Sequence, residues 1–132
     1  MPDPPSWRFE IQDSTTALHR REEFVRYLET CGAAGDLAGA ELIFGEIVSN
    51  AVIHAPGPIG VVVSWSAGRA MLHVYDAGVP LDDSVVSKKA ADPLVEHGRG
   101  LAIVRELSPG VIVDNAYPDG KTVSAELPVR LA

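Results

Sequence analysis

The stretch Glu41-Leu-Ile-Phe-Gly-Glu46-Ile-Val-Ser-Asn50-Ala-Val-Ile-His54 decides how this chain is read. Apolar residues recur through it at helical spacing, and Glu46, Asn50 and His54 recur every four residues. At about 100° per residue, each such step advances roughly 40°, so the three side chains form one narrow stripe. Leu42, Ile43, Ile47 and Ile53 fall within or beside the same arc, which places the stripe inside the apolar face. A carboxylate and an amide among aliphatic neighbours are costly unless something pairs with them. The stripe therefore points to a site whose ligand or metal satisfies the polar groups. An amide oxygen such as that of Asn50 suits Mg²⁺, which prefers hard oxygen ligands and keeps several waters. A carboxylate one turn earlier, Glu46, is placed to take a proton from an attacking hydroxyl or water. The plain alternative is a solvated Glu, which is common on helices. A His at a helix end is stabilising through the dipole alone, so His54 gains no role from spacing.

The helix is predicted from about Asp36 to Ala55, where Pro56-Gly57-Pro58 stops it. Upstream, Trp7 to Gln12 alternates apolar and polar residues and reads as a strand. Ser14 or Thr15 caps a helix to about Cys31, with Leu18, Phe24, Val25 and Leu28 as its apolar positions, and Gly32 and Gly35 break it. Downstream, Ile59 to Ser66 and Ala70 to Asp76 form a hairpin around Ala67-Gly68-Arg69. Residues 77–97 carry interrupting Gly, Pro and charged residues; a loop this long is expected to be a functional lid or a disordered stretch. A third helix begins at Gly98-Arg-Gly100 and runs to about Leu107, and Val111–Asp114 with Lys121–Leu127 closes the chain as a second hairpin. The expected fold is α+β: about three helices on one face of a mostly antiparallel sheet. Residues 1–6, rich in proline, are expected to be a loose tail, and residues 7–132 one domain.

Bulk properties narrow the function. Eleven basic residues against eighteen acidic ones give a formal charge of −7, which argues against a nucleic-acid or anionic-membrane binder. Cys31 is the only cysteine, so no disulfide forms within the chain. No signal pattern opens the sequence and no apolar run approaches the ~20 residues of a membrane span. A soluble cytoplasmic domain is the expectation.

Two further motifs carry chemistry. Asp76-Ala-Gly78 ends a strand on which Leu72, Val74 and Asp76 share one face. An inward carboxylate there can accept a hydrogen bond from an amino group, such as the exocyclic amine of adenine, and Gly78 would let a flat ring approach the backbone. A simple strand-end turn is the alternative. Gly98-Arg-Gly100-Leu101 opens a helix, where free backbone N–H groups and the dipole favour phosphate. No P-loop signature and no set of residues with zinc-site spacing is present.

In this order (a Glu/Asn helix, an Asp-x-Gly strand end, a long lid, a Gly-x-Gly helix start and a Gly-Lys-Thr hairpin) the chain resembles the GHKL, or Bergerat-fold, ATP-binding superfamily. The stretches Glu-Ile-Val-Ser-Asn-Ala-Val-Ile-His-Ala and Gly-Arg-Gly-Leu-Ala-Ile-Val resemble its anti-sigma-factor serine/threonine kinase branch. The resemblance implies Glu46 as general base, Asn50 as the Mg²⁺ ligand bridging the ATP phosphates, and Asp76 and Gly78 at the adenine. It further implies Gly98 and Gly100 on the phosphate side, with Arg99 and Leu101 beside them, and Thr122 as the last adenine-side contact. Lys88, Lys89, Arg99 and Arg105 are further candidate phosphate partners, though lid lysines are usually solvated. Thr122 shares strand parity with Ser124 and Glu126, so its inward pointing requires a bulge or an early strand start. Pro80 stands where the family often has a second glycine, which bears on the lid's hinge.

The function so implied is an ATP- and Mg²⁺-dependent serine/threonine protein kinase acting as an anti-sigma factor. Its partners would be a sigma factor and a STAS-domain anti-anti-sigma protein, its phosphorylation substrate, with a homodimer as the family-style expectation. The alternatives are a catalytically inactive, nucleotide-dependent sequestering module of the same fold, and an α+β interaction domain with no nucleotide. A gyrase- or chaperone-type ATPase and a sensor histidine kinase are disfavoured for want of a transducing domain or a phospho-accepting helical hairpin.

Overall fold

The computed structural model describes residues 2–11, 14–54, 58–77, 96–114 and 120–131. The elements run β1 (Trp7–Ile11), α1 (Ser14–Thr30), β2 (Ala33–Gly35), α2 (Leu37–His54), β3 (Ile59–Ser66), β4 (Arg69–Asp76), α3 (Glu96–Leu107), β5 (Val111–Asp114) and β6 (Lys121–Leu131). The strands form one antiparallel sheet in the order β1-β3-β4-β6-β2, with β5 also paired to β6. This is the expected α+β arrangement. It adds one strand that periodicity does not show, because β2 has only three residues and two lie exposed. Gly35 holds φ +120°, and Pro128 and Val129 of β6 crowd it so closely that a side chain would collide.

Alternation in β3 and β4 buries Ile59, Val61 and Val63 together with Ala70, Leu72, Val74 and Asp76 on the helix-covered face. On β6 the same face carries Lys121, Val123, Ala125, Leu127 and Val129. The pairing with β4 shifts register between Arg69↔Arg130 and Met71↔Glu126. Pro128 falls in the irregular part of β6, where a residue without an N–H is tolerated.

Helix α2 spans the sheet and meets α1 and α3 at its flanks. Ala40, Ile43, Phe44, Ile47, Val48 and Ala51 supply its buried face at i, i+3, i+4, i+7, i+8 and i+11. Its N-terminus is held by Asp36, whose Oδ1 accepts the Gly39 N–H at 2.8 Å. The Asp36 N–H in turn donates to the Pro128 carbonyl at 2.9 Å, fixing the helix entry to the sheet. Phe24 of α1 stacks on Phe44 of α2 with centroids 4.5 Å apart, and Trp7 of β1 stacks on Tyr27 of α1 at 5.3 Å. The far end of α3 is tied down by Ser108, whose Oγ donates to the Glu126 carbonyl at 2.7 Å.

The β3–β4 turn has φ 52° at Ala67 and 77° at Gly68, as a two-residue hairpin turn of matching twist demands. Asp3 receives both turn N–H groups, at 3.1 and 2.9 Å, and the Pro5 carbonyl accepts from Tyr27 Oη at 2.9 Å. The Pro-rich segment expected as a loose tail is thus anchored at two points in this structure.

Candidate nucleotide site

The stripe on α2 lies on the shoulder of the buried face, not within it. With Glu46 taken as the origin, Ile43, Ile47, Ala51 and Phe44 lie at about 60°, 100°, 140° and 160°, and all four are buried. Glu46 and Asn50, at the origin and about 40°, are half-buried. On the other side, Ile53 is 72% exposed. The two polar groups therefore sit where the core ends and solvent begins, which lowers the desolvation cost that full burial would impose. His54 closes α2, and its side chain is outside the described residues.

Asp76 does turn inward, at 1% exposure, because it continues the Leu72 and Val74 register of β4. Its cross-strand partner is Lys121. Lys121 Nζ donates to Asp76 Oδ1 at 2.9 Å, and both side chains are almost completely shielded from water. Asp76 and Lys121 are the only buried charged residues among the described ones. Removing two charges from water is tolerable only because each is paired with the other. Gly120 lets β6 come this close: a Cβ there would strike the Asp76 carbonyl oxygen and lie 3.0 Å from Tyr75 Oη.

Thr122 requires a correction. It pairs with Tyr75, not Asp76, and lies on the face of the sheet opposite the described helices. There it borders a shallow depression with Gly60, Val62, His73 and Tyr75. The strand starts regularly at Lys121 and its bulge comes only near Pro128, so nothing turns Thr122 inward. Lys121 takes the inward position instead. The signal was present in the alternation of Val123, Ala125 and Leu127, which, counted back by two, ends on residue 121.

Gly98, Arg99, Gly100 and Leu101 all lie inside α3, which starts two residues before the first of these glycines. Gly98 falls in the first turn, where N–H groups have no intrahelical partner, whereas the Gly100 N–H is already in the helical ladder. The side chains of residues 96–101 are outside the described residues, as are Gly78, Pro80, Lys88, Lys89 and most of the expected lid. Arg105 is exposed near the end of α3. The elements that carry Glu46, Asn50, Asp76, Lys121 and Gly98 are packed neighbours: α2 lies against β4, β6 and α3.

Residues 10–127 match the family described as the histidine kinase-like ATPase domain. The chain belongs to this family. Among solved structures, this ATPase domain resembles the nucleotide-free catalytic domain of histidine kinase ThkA at 17% identity and TM-score 0.60, covering 92% of this chain and 97% of that one. It resembles the mycobacterial sensor histidine kinase MprB at 23% identity and TM-score 0.57, covering 96% and 100%. Acinetobacter baumannii histidine kinase AdeS gives 14% and 0.54, covering 94% and 67%. At these identities the likeness establishes the shared fold. No curated protein matches the sequence significantly.

Membership in the GHKL superfamily implies ATP binding, and the residues present fit a nucleotide. A buried carboxylate beside a buried ammonium offers an acceptor and a donor to the edge of a base. Asn50 offers an amide oxygen of the kind Mg²⁺ accepts when phosphates and water complete its shell. Among the described residues no helix is long and apolar enough to cross a membrane.

Proposed function

We propose that this ATPase domain is an ATP- and Mg²⁺-dependent serine/threonine protein kinase and anti-sigma factor that phosphorylates a STAS-domain antagonist. The observation that carries the reading is the half-buried Glu46/Asn50 pair on α2, packed against the strands that bury Asp76. The likeness of the α2 and α3 stretches to the anti-sigma kinase branch supports the choice of acceptor. Bound ATP·Mg²⁺ would supply the transferable phosphoryl group and offset the phosphate charge. The protein's task is then positioning. Glu46 would take the proton of the incoming serine or threonine hydroxyl, Asn50 would hold the divalent ion through its amide oxygen, and Asp76 would accept from the exocyclic amine of adenine.

Incubation with labelled ATP, Mg²⁺ and the product of a neighbouring antagonist gene is expected to label that partner. Glu46→Ala is expected to abolish transfer while nucleotide binding persists; transfer that survives the substitution removes the proposed base. A second reading, a nucleotide-dependent sequestering module without transfer, is favoured by Pro80 at the hinge position. Partner capture with bound ADP and no labelling of any partner would select it.

A further inference from the structure

The Lys121 ammonium is only partly used. It carries three N–H donors. One goes to Asp76 Oδ1 at 2.9 Å, and no other described residue accepts from it, although its side chain is just 6% exposed. Little water reaches it, and among the described residues nothing takes its other two donors, which can therefore serve a group that enters the site. The Asp76–Lys121 register places a fixed acceptor and a fixed donor side by side at the ends of β4 and β6. Gly120, clamped against the Asp76 carbonyl and Tyr75, holds that spacing.

We propose that Lys121 reads the base directly: while Asp76 accepts from the exocyclic amine of adenine, Lys121 donates to the adjacent ring nitrogen, N1. This rests on the nucleotide reading above. The amino-purine edge presents a donor next to an acceptor, and the Asp76–Lys121 pair presents the complementary acceptor next to a donor. A 6-oxo purine reverses that edge, setting its carbonyl against the carboxylate and its N1–H against the ammonium. Lys121 is therefore a specificity-determining residue, and a site whose buried polar groups must be matched discriminates strongly against analogues that leave them unpaired.

The test compares dissociation constants of Mg·ADP and Mg·1-deaza-ADP, in which C–H replaces N1, by titration calorimetry on the wild-type chain, Lys121→Met and Lys121→Gln. The wild type is expected to bind ADP at least about tenfold more tightly, as loss of a hydrogen bond to a charged group implies. Lys121→Met is expected to bind the two equally, and Lys121→Gln, with a shorter neutral donor, to show a reduced preference. Equal binding by the wild type overturns the proposal whether or not either variant folds. So does a folded Lys121→Met that keeps the wild-type preference. A wild type that binds neither nucleotide overturns the nucleotide reading itself, and this inference with it.

Discussion

Among the described residues, Asp76 and Lys121 concentrate the electrostatic risk in one pair. Each neutralises the other at 2.9 Å with almost no water contact. Removing one partner leaves a buried charge uncompensated, at a cost of about 3–5 kcal/mol. In urea unfolding without nucleotide, Lys121→Met is accordingly expected to lose about 3 kcal/mol or more, and Asp76→Asn combined with Lys121→Met to regain a substantial part of it. A double variant whose loss equals the sum of the two single losses would show that the charges do not depend on each other. Asp76 was legible from sequence because it continues an alternating strand. Thr122 was misplaced because motif order named it while strand parity pointed one residue earlier, and in a strand one residue is a change of face.

Among the elements, α2 organises the site, and its position is set at the residue that caps it, Asp36. The Asp36 side chain caps Gly39 and the Asp36 backbone grips Pro128. Asp36→Ala removes only the side-chain bond and is expected to cost about 1 kcal/mol, seen as a lower urea midpoint at unchanged slope. The helices and the β3–β4 hairpin were legible because their apolar periods are long and their breakers strong. β2 was not, since three residues, the last of them a glycine, carry no period and form a strand only where β6 lies alongside. The reach of β6 past Leu127 was hidden by Pro128, which sequence reading treats as a stop and the sheet accommodates at an irregular register.

The whole molecule buries one face of its sheet under helices and leaves on the other a short polar chain. Ser64 Oγ lies 3.0 Å from His73 Nε2 and Ser124 Oγ lies 2.8 Å from His73 Nδ1, linking β3, β4 and β6. Burial pushes the His73 imidazole below its ordinary value of 6.5, so folding favours the neutral ring. Above 6.5 the ring is neutral in both states and its full contribution is present. As pH falls from there through the folded value, the unfolded chain takes up the proton first and stability is lost. Urea midpoints between about pH 7.5 and pH 5.5 are expected to fall for the wild type and to fall less for His73→Gln. Ligand binding is a second whole-molecule handle: Mg·ADP at about 100 times its Kd is expected to add about 2.7 kcal/mol, read as a higher melting temperature. No shift at saturation would favour an interaction domain without nucleotide.

What the sequence by itself determined was the α+β class, the three helices, the central hairpin, the inward Asp76 and the superfamily, all of which rest on local periodicity or on residues in a fixed order. Tertiary structure decided that the Glu46/Asn50 stripe lies on the shoulder of the core, because burial depends on which neighbours cover a helix and not on its own pattern. It also decided that Asp76 and Lys121, forty-five residues apart in the chain, meet as a buried ion pair. Strand pairing sets that contact, and register between distant strands is a property of the folded sheet.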